Sequence, residues 1–255
     1  MASSSSVAGA APAPGVPSAS PRYREVKRGL MEALASGEWK AGEAIPSERR
    51  LAERYAISIG TVRKAIDELV GESLLIRQQG RGTFVASHNR DRLLFYFFHV
   101  VAHDGTKQYP EVRLLSFARA RADRVAADKL GIALADPVIR VRNLLSLGDA
   151  PVIVDDITLP AVRFSGISER AFRERPSTIY NFYQESFGIS VVRTVERLRA
   201  TVADAEIAPL LRLPVGGPVL QIRRLALTYA DAPVELRVSH VDTRRHEYLS
   251  ELKRI

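Results

Sequence analysis

The chain has 255 residues, 46% hydrophobic and 26% charged, an ordinary globular composition with enough apolar side chains for two cores. Lys and Arg number 37 against 29 Asp and Glu, and the formal net charge of +8 favours a polyanion such as nucleic acid as partner. Cysteine is absent, which excludes disulfides, thiolate metal sites and cysteine nucleophiles, and no apolar run suits a membrane span or signal peptide, so a soluble cytoplasmic protein is expected.

Residues 1–21 carry no charged side chain and are rich in Ala, Ser, Pro and Gly, which predicts a disordered tail. The first helix is expected over Tyr23 to Ala35, where Val26, Leu30, Ala33 and Leu34 form one apolar stripe, and Gly37 ends it. Ser47 then suits an N-cap, with Glu48 in the positive first turn and Leu51, Ala52 and Tyr55 facing inward. After the break Ala56-Ile57-Ser58, a second capped helix turns Val62, Ile66 and Leu69 inward and leaves Thr61, Arg63 and Lys64 outside.

This pair is a helix-turn-helix. The first turn of its second helix carries Ile59, Gly60 and Thr61, small or branched residues that can approach a major groove, while Arg63 and Lys64 can reach guanine edges or phosphates one turn on. Two apolar strands around Gly80 and Gly82 follow as a wing, whose tip offers Gln79, the Gly80 backbone and Arg81 to phosphate or a minor groove. Residues 22–85 thus form a DNA-binding domain, and the polar stretch 86–92 a linker.

The run PSERRLAERYAISIGTVRKAIDELVGESLLIRQQGRGTFV resembles the DNA-binding domain of the GntR family of bacterial regulators at many separated positions. The resemblance implies DNA contacts from Arg49, Ser58, Arg63, Gln79 and Gly80. Two positions depart from it: Ile59 stands where arginine is usual, and Ser73 where glycine is usual. Ile59 could touch thymine methyl groups or pack against the wing.

Residues 93–255 read as α+β and hold a near-repeat. Helix (Val125 to Ile132), strand from Pro137, turn Asp149-Ala150-Pro151 and strand from Val152 recur as helix (Asp204 to Arg212), strand from Pro218, turn Asp231-Ala232-Pro233 and strand from Val234. The two prolines are 14 residues apart in the first unit and 15 in the second, which predicts two helix-plus-hairpin units as pseudo-equivalent halves of one antiparallel sheet. Alternation sends Arg140 and Arg142 to one strand face, either exposed or facing an anion. A helix over 177–186 places its first amides and the Thr178 hydroxyl where an anion could bind. His99 is expected in a strand.

The repeat, the Asp-Ala-Pro turns and PSTIYNFYQESFG resemble the UTRA ligand-sensing domain of the HutC subfamily of GntR regulators, whose fold is chorismate lyase-like. The resemblance implies a pocket in which Thr178 and Tyr180 bind an acidic or phosphate group, with Arg140 and Arg142 nearby and polar selectivity at Asp155 and Glu235. It also implies a homodimer on a pseudo-palindromic double-stranded operator, acting as a repressor that a small-molecule effector releases, with no metal, no cofactor and no membrane partner. Two alternatives stand beside this reading. One is an activator of the same family; the other is a lyase or hydrolase, against which the chain shows no Ser-His-Asp order, metal-ligand cluster or Gly-rich nucleotide motif.

Overall fold

The computed structural model describes residues 21–87, 97–175 and 178–251. Helices α1 (Pro21–Ala35), α2 (Glu48–Tyr55) and α3 (Ile59–Gly71) precede a hairpin of β1 (Leu75–Gln78) and β2 (Gly82–Val85). Local chemistry sets these boundaries. Ser47 Oγ accepts from the Arg50 amide and Ser58 Oγ from the Thr61 amide, each satisfying a donor that the first helical turn leaves unpaired. Between the two helices Ala56 is left-handed (φ 51°) and turns the chain sharply. Leu30, Leu51, Val62, Ile66 and Leu69 close the core behind them.

Ser73, the residue that replaces the usual glycine, has φ 58°. The position demands a left-handed backbone, so the substitution carries strain that glycine would not. Ala86 is buried, its amide donating to the Leu74 carbonyl, so packed structure runs one residue into the expected linker. Pro21 opens α1 instead of closing the expected tail. The rest of that tail, 1–20, and linker residues 88–92 lie outside the described residues.

The second unit is built on one antiparallel sheet of β4 (Glu111–Arg121), β5 (Pro137–Leu147), β6 (Ala150–Pro160), β7 (Arg193–Val202), β8 (Pro218–Leu227) and β9 (Pro233–Val241). The strand order is β4-β5-β6-β9-β8-β7, two three-stranded halves meeting along β6 and β9, as the near-repeat requires. The first half carries α4 (Arg124–Leu130), capped by Asp123. The expected second helix, the counterpart of α4, shrinks to Ile207–Leu210, because Arg212 turns left-handed (φ 54°) and Pro214 follows.

Alternation divides the sheet between two layers. Even-numbered residues of β5 face the two repeat helices: Val138 packs with Ala126 and Leu130, and Leu144 with Ala208 and Leu211. Odd-numbered residues face the other layer. At one end Ile139 and Val141 meet α5 (Glu169–Arg173) and α6 (Ile179–Phe187) through Phe172, Tyr180 and Tyr183. At the other end Leu145 and Leu147 meet a ribbon of β3 (Val100–Ala102) and β10 (His246–Tyr248). His99 stands just before β3 and not within a strand, and Phe95 and Tyr96 lie outside the described residues.

The two units touch. Tyr229, on a one-turn 3-10 helix (Tyr229–Asp231) between β8 and β9, joins the apolar core of the N-terminal unit, with Val192 packed beside it. Gln184 of α6 donates to the Ala86 carbonyl at 3.4 Å and to Ser190 Oγ at 2.8 Å.

Candidate functional site

Among the described residues, a groove and a cavity each gather charged side chains. The first is a groove between α3 and the wing, lined among others by Arg49, Ile59, Arg63, Arg77 and Arg81. Glu48, at the start of α2, organises it: Arg63 Nε donates to Glu48 Oε2 at 2.9 Å and Arg77 Nη2 to Glu48 Oε1 at 3.0 Å. Burial raises the Glu48 pKa, yet these two guanidinium groups outweigh it and hold the carboxyl below its usual value. Arg77 also bonds Asp67 at 2.8 Å. The Arg63 side chain stays 60% exposed, so a polyanion can reach it.

The other groove residues are accessible to different degrees. Arg49 pairs with Glu53, one turn on in α2. Gln79 and Gly80 form the exposed tip of the wing, where Gly80 has φ 71°, and Arg81 lies over the Phe84 ring. Ile59 is 44% exposed on the groove side, not packed away. Ser58 and Thr61 are joined at 2.9 Å between hydroxyls and build the start of α3. Lys64 is exposed but turned the other way, its ammonium 5.1 Å from the Tyr23 ring of α1, because one residue along a helix is a rotation of about 100°.

The second place is a cavity of about 270 Å³ between the sheet and its covering layer, at the gap between α6 and the β3–β10 ribbon. Strand register grades its floor. Asn143, Asp155, Ser239 and Ile222 lie side by side across β5, β6, β9 and β8. Two residues along the strands in one direction come Leu145, Ile153, Val241 and Leu220; in the other come Val141, Ile157, Arg237 and Arg224, of which the two arginines line the cavity. One end of the floor is therefore apolar and the other cationic.

Buried ion pairs fix the cationic end. Arg237 donates from Nε and Nη2 to the two Glu235 oxygens at 2.9 and 3.0 Å, and from Nη1 to Asp155 at 3.1 Å. Tyr180 and Tyr183 hydroxyls also donate to Glu235, at 3.1 and 2.8 Å. Burial, then the Glu235 charge, push the Tyr180 hydroxyl up to about 12, so it stays a donor. Arg224 pairs with Glu196 at 2.5 Å and also donates to the Phe97 carbonyl. For Arg224 and Arg237 burial opposes the charge, but the carboxylates and tyrosines around them win and raise both above the usual arginine value.

Comparison with known proteins places these features in one lineage. The family model described as bacterial regulatory proteins, gntR family, matches residues 22–85, and the UTRA domain matches residues 106–247. The chain belongs to the GntR family. It is 31% identical over 219 residues, 84% of this chain and 87% of the other, to the protein named "Probable fructoselysine utilization operon transcriptional repressor" of Escherichia coli (strain K12). It is 27% identical to the histidine utilization repressor of Klebsiella aerogenes, over 80% of this chain and 83% of that one. Among solved structures, the ligand-binding domain of a GntR-family regulator from Bordetella bronchiseptica is 32% identical, with a TM-score of 0.59, covering 62% of this chain and 99% of that one. PhnF from Mycobacterium smegmatis, at 24% identity and TM-score 0.52 over 89% of this chain and 99% of that one, shares the fold. These relatives are regulators of transcription, which sets aside the lyase or hydrolase reading.

In this GntR regulator the structure places the expected ligand residues unevenly. Asp155 and Thr178 line the cavity, Thr178 as the N-cap of α6 with its Oγ1 accepting from the Asn181 amide at 3.1 Å. Ser177 and Pro176, before it, lie outside the described residues. Tyr180 and Glu235 are fully buried one layer behind, as supports for Arg237. Arg140 and Arg142 share a face, as expected, but it is the face away from the cavity. Arg140 bonds Asp123 at the cap of α4, and Arg142 bonds Asp156 at 2.6 Å and Glu206 at 3.1 Å. The alternation that turns Asn143 into the cavity turns both arginines out of it.

Residue-by-residue reading missed Asn143, Arg175, Arg224, Arg237 and Ser239, all of which line the cavity. The repeat held a signal for one of them and made two others equivalent to each other. Arg224 follows Pro218 at the distance at which Asn143 follows Pro137, and Arg237 follows Pro233 as Asp155 follows Pro151. Among the described residues no cluster of His, Asp and Glu suits a metal ion, and no helix is long and apolar enough to cross a membrane.

Proposed function

We propose that the protein is a homodimeric transcriptional repressor that binds a pseudo-palindromic operator through α3 and the wing and releases it when a small acidic metabolite fills the cavity. The observation that carries this reading is the groove itself: Arg63 and Arg77 stand exposed on either side of Glu48, between a capped recognition helix and a glycine-turned wing. Arg49, Ser58, Ile59, Thr61, Gln79, Gly80 and Arg81 are its other DNA-facing residues, with Lys64 on the adjoining surface.

The names of the relatives support repression, since both the fructoselysine and histidine utilization proteins are called repressors. Dimerisation follows the two-fold symmetry of helix-turn-helix operators, and the outer strand β7 leaves Val195, Leu198 and Val202 exposed for a second copy. A protein that works on the chromosome of a bacterium works in the cytoplasm. Coupling has a physical route through α6, whose first residue boundary, Thr178, is at the cavity while Gln184 holds the Ala86 carbonyl at the end of the DNA-binding unit. A ligand that moves Thr178 biases the position of Ala86, and so the spacing of the two winged helices.

The test is a mobility-shift titration of the full chain on its own promoter against random duplex at moderate salt. Preference for the promoter, weakened by a metabolite that also raises the melting temperature, is the expected outcome. Equal affinity for both duplexes removes the regulator reading.

A further inference from the structure

Most charged side chains among the described lining residues of the cavity are already paired, and the exception bears on its occupant. Among the described lining residues, Arg224 and Arg237 are saturated by Glu196, Glu235 and Asp155, and Arg173 pairs with Glu169 at 2.6 Å on the surface. Arg175 is different. Its Nη1 donates to the Phe172 carbonyl at 2.6 Å and its guanidinium lies over the Phe172 ring, but among the described residues it has no carboxylate partner, and its Nε is buried without a hydrogen bond. Asn143 is 2% exposed, lines the same cavity, and its Oδ1 is likewise buried and unpartnered. A buried donor and a buried acceptor without partners, both on residues that line one cavity, are costly unless a ligand or a water meets them.

Much of the remaining wall is apolar, though His99, Tyr109, Thr178, Ser239 and Tyr248 also line it. Leu145, Ile153 and Val241 form the floor beyond Asn143, and Phe98, Val100 and Ile179 cover it. Asp155 stands mid-floor beside Asn143, so a doubly charged, hydroxyl-rich ligand would set its own charge near a carboxylate and its hydroxyls against aliphatic carbon. From this arrangement we infer that the effector is a small organic acid with an apolar body: its single carboxylate bonds Arg175, a donor beside it bonds Asn143, and its hydrocarbon part covers the Leu145–Ile153–Val241 row. This rests on the cavity being the effector site, and it selects apolar acids over sugar phosphates.

The experiment is calorimetric titration of the full chain with butanoate, hexanoate and octanoate, with hexanol as the neutral match and glucose 6-phosphate as the hydrophilic anion. Binding is expected to tighten about fourfold per methylene while the chain still fits the cavity. Replacing the guanidinium that lacks a carboxylate among the described residues, Arg175→Gln, is expected to weaken hexanoate by about tenfold or more and to leave hexanol within about twofold. A flat length series, tighter glucose 6-phosphate than hexanoate, or no binding by any of the acids overturns the inference, and the wild-type length series decides it even if the variant misfolds. Operator retention by the ligand-free chain, measured in the same preparation, reports on the repressor reading separately.

Discussion

The groove and the cavity both rest on arginine–carboxylate pairs, yet the pairs live in different media. At the groove the Arg63 and Arg77 side chains are 60% and 43% exposed, and at the cavity Arg224 and Arg237 are each 10% exposed. A wet pair is worth little and exchanges its carboxylate readily for a phosphate, which is what a DNA-reading surface needs. A dry pair is the reverse: once either partner is removed, the other is stranded in a low dielectric. The same residue types therefore serve recognition in one place and architecture in the other.

The sharpest way to break this contrast is Glu235→Ala. It leaves Arg237 and two tyrosine hydroxyls without their common acceptor, and a loss of about 3–5 kcal/mol in urea unfolding is expected. Arg63→Ala is the matching change in the groove. It should cost about 1–3 kcal/mol of operator affinity with an unchanged unfolding midpoint. If instead Arg63→Ala unfolds the chain and Glu235→Ala does not, the distinction between the two media fails.

A smaller effect, of opposite sign, concerns the backbone of the DNA-binding unit. Ser73→Gly relieves a left-handed serine and should stabilise by about 1 kcal/mol, read as a higher melting temperature. The smallest belongs to protons. Burial is the main cause holding His99 and His240 below the usual value of 6.5. The unfolded chain then takes up protons that the folded chain refuses, so stability is complete above about pH 6.5 and declines as the pH falls toward the folded values. Melting temperatures measured across that window should fall with acidity, and His99→Gln with His240→Gln should flatten the slope.

The difference in medium also explains what the sequence made legible. The groove is built from short-range signals: Ser47 and Ser58 as caps, Gly80 in the wing turn, and an apolar stripe behind Arg63, all readable within a few residues. The sheet's two halves were readable too, because the proline-bounded repeat fixes how β5–β6 and β8–β9 correspond. The cavity was not. Alternation assigns Arg140 and Arg142 to one face and Asn143 to the other, but which face is covered by α6 depends on packing far along the chain. Charge misleads in the same way. An arginine followed by ordinary strand residues looks like surface, and nothing local marks Arg224 or Arg237 as buried beside Glu196 and Glu235.

Tyr229 ties the two halves of the chain together. The winged helix does not complete its own interior but borrows an aromatic ring, and the neighbouring Val192, from the sensing half of the chain. Cutting the protein between its halves would leave a greasy notch on one fragment and a protruding ring on the other. Heating the intact molecule should then melt both halves in a single transition, with each lending the other its thermal resistance.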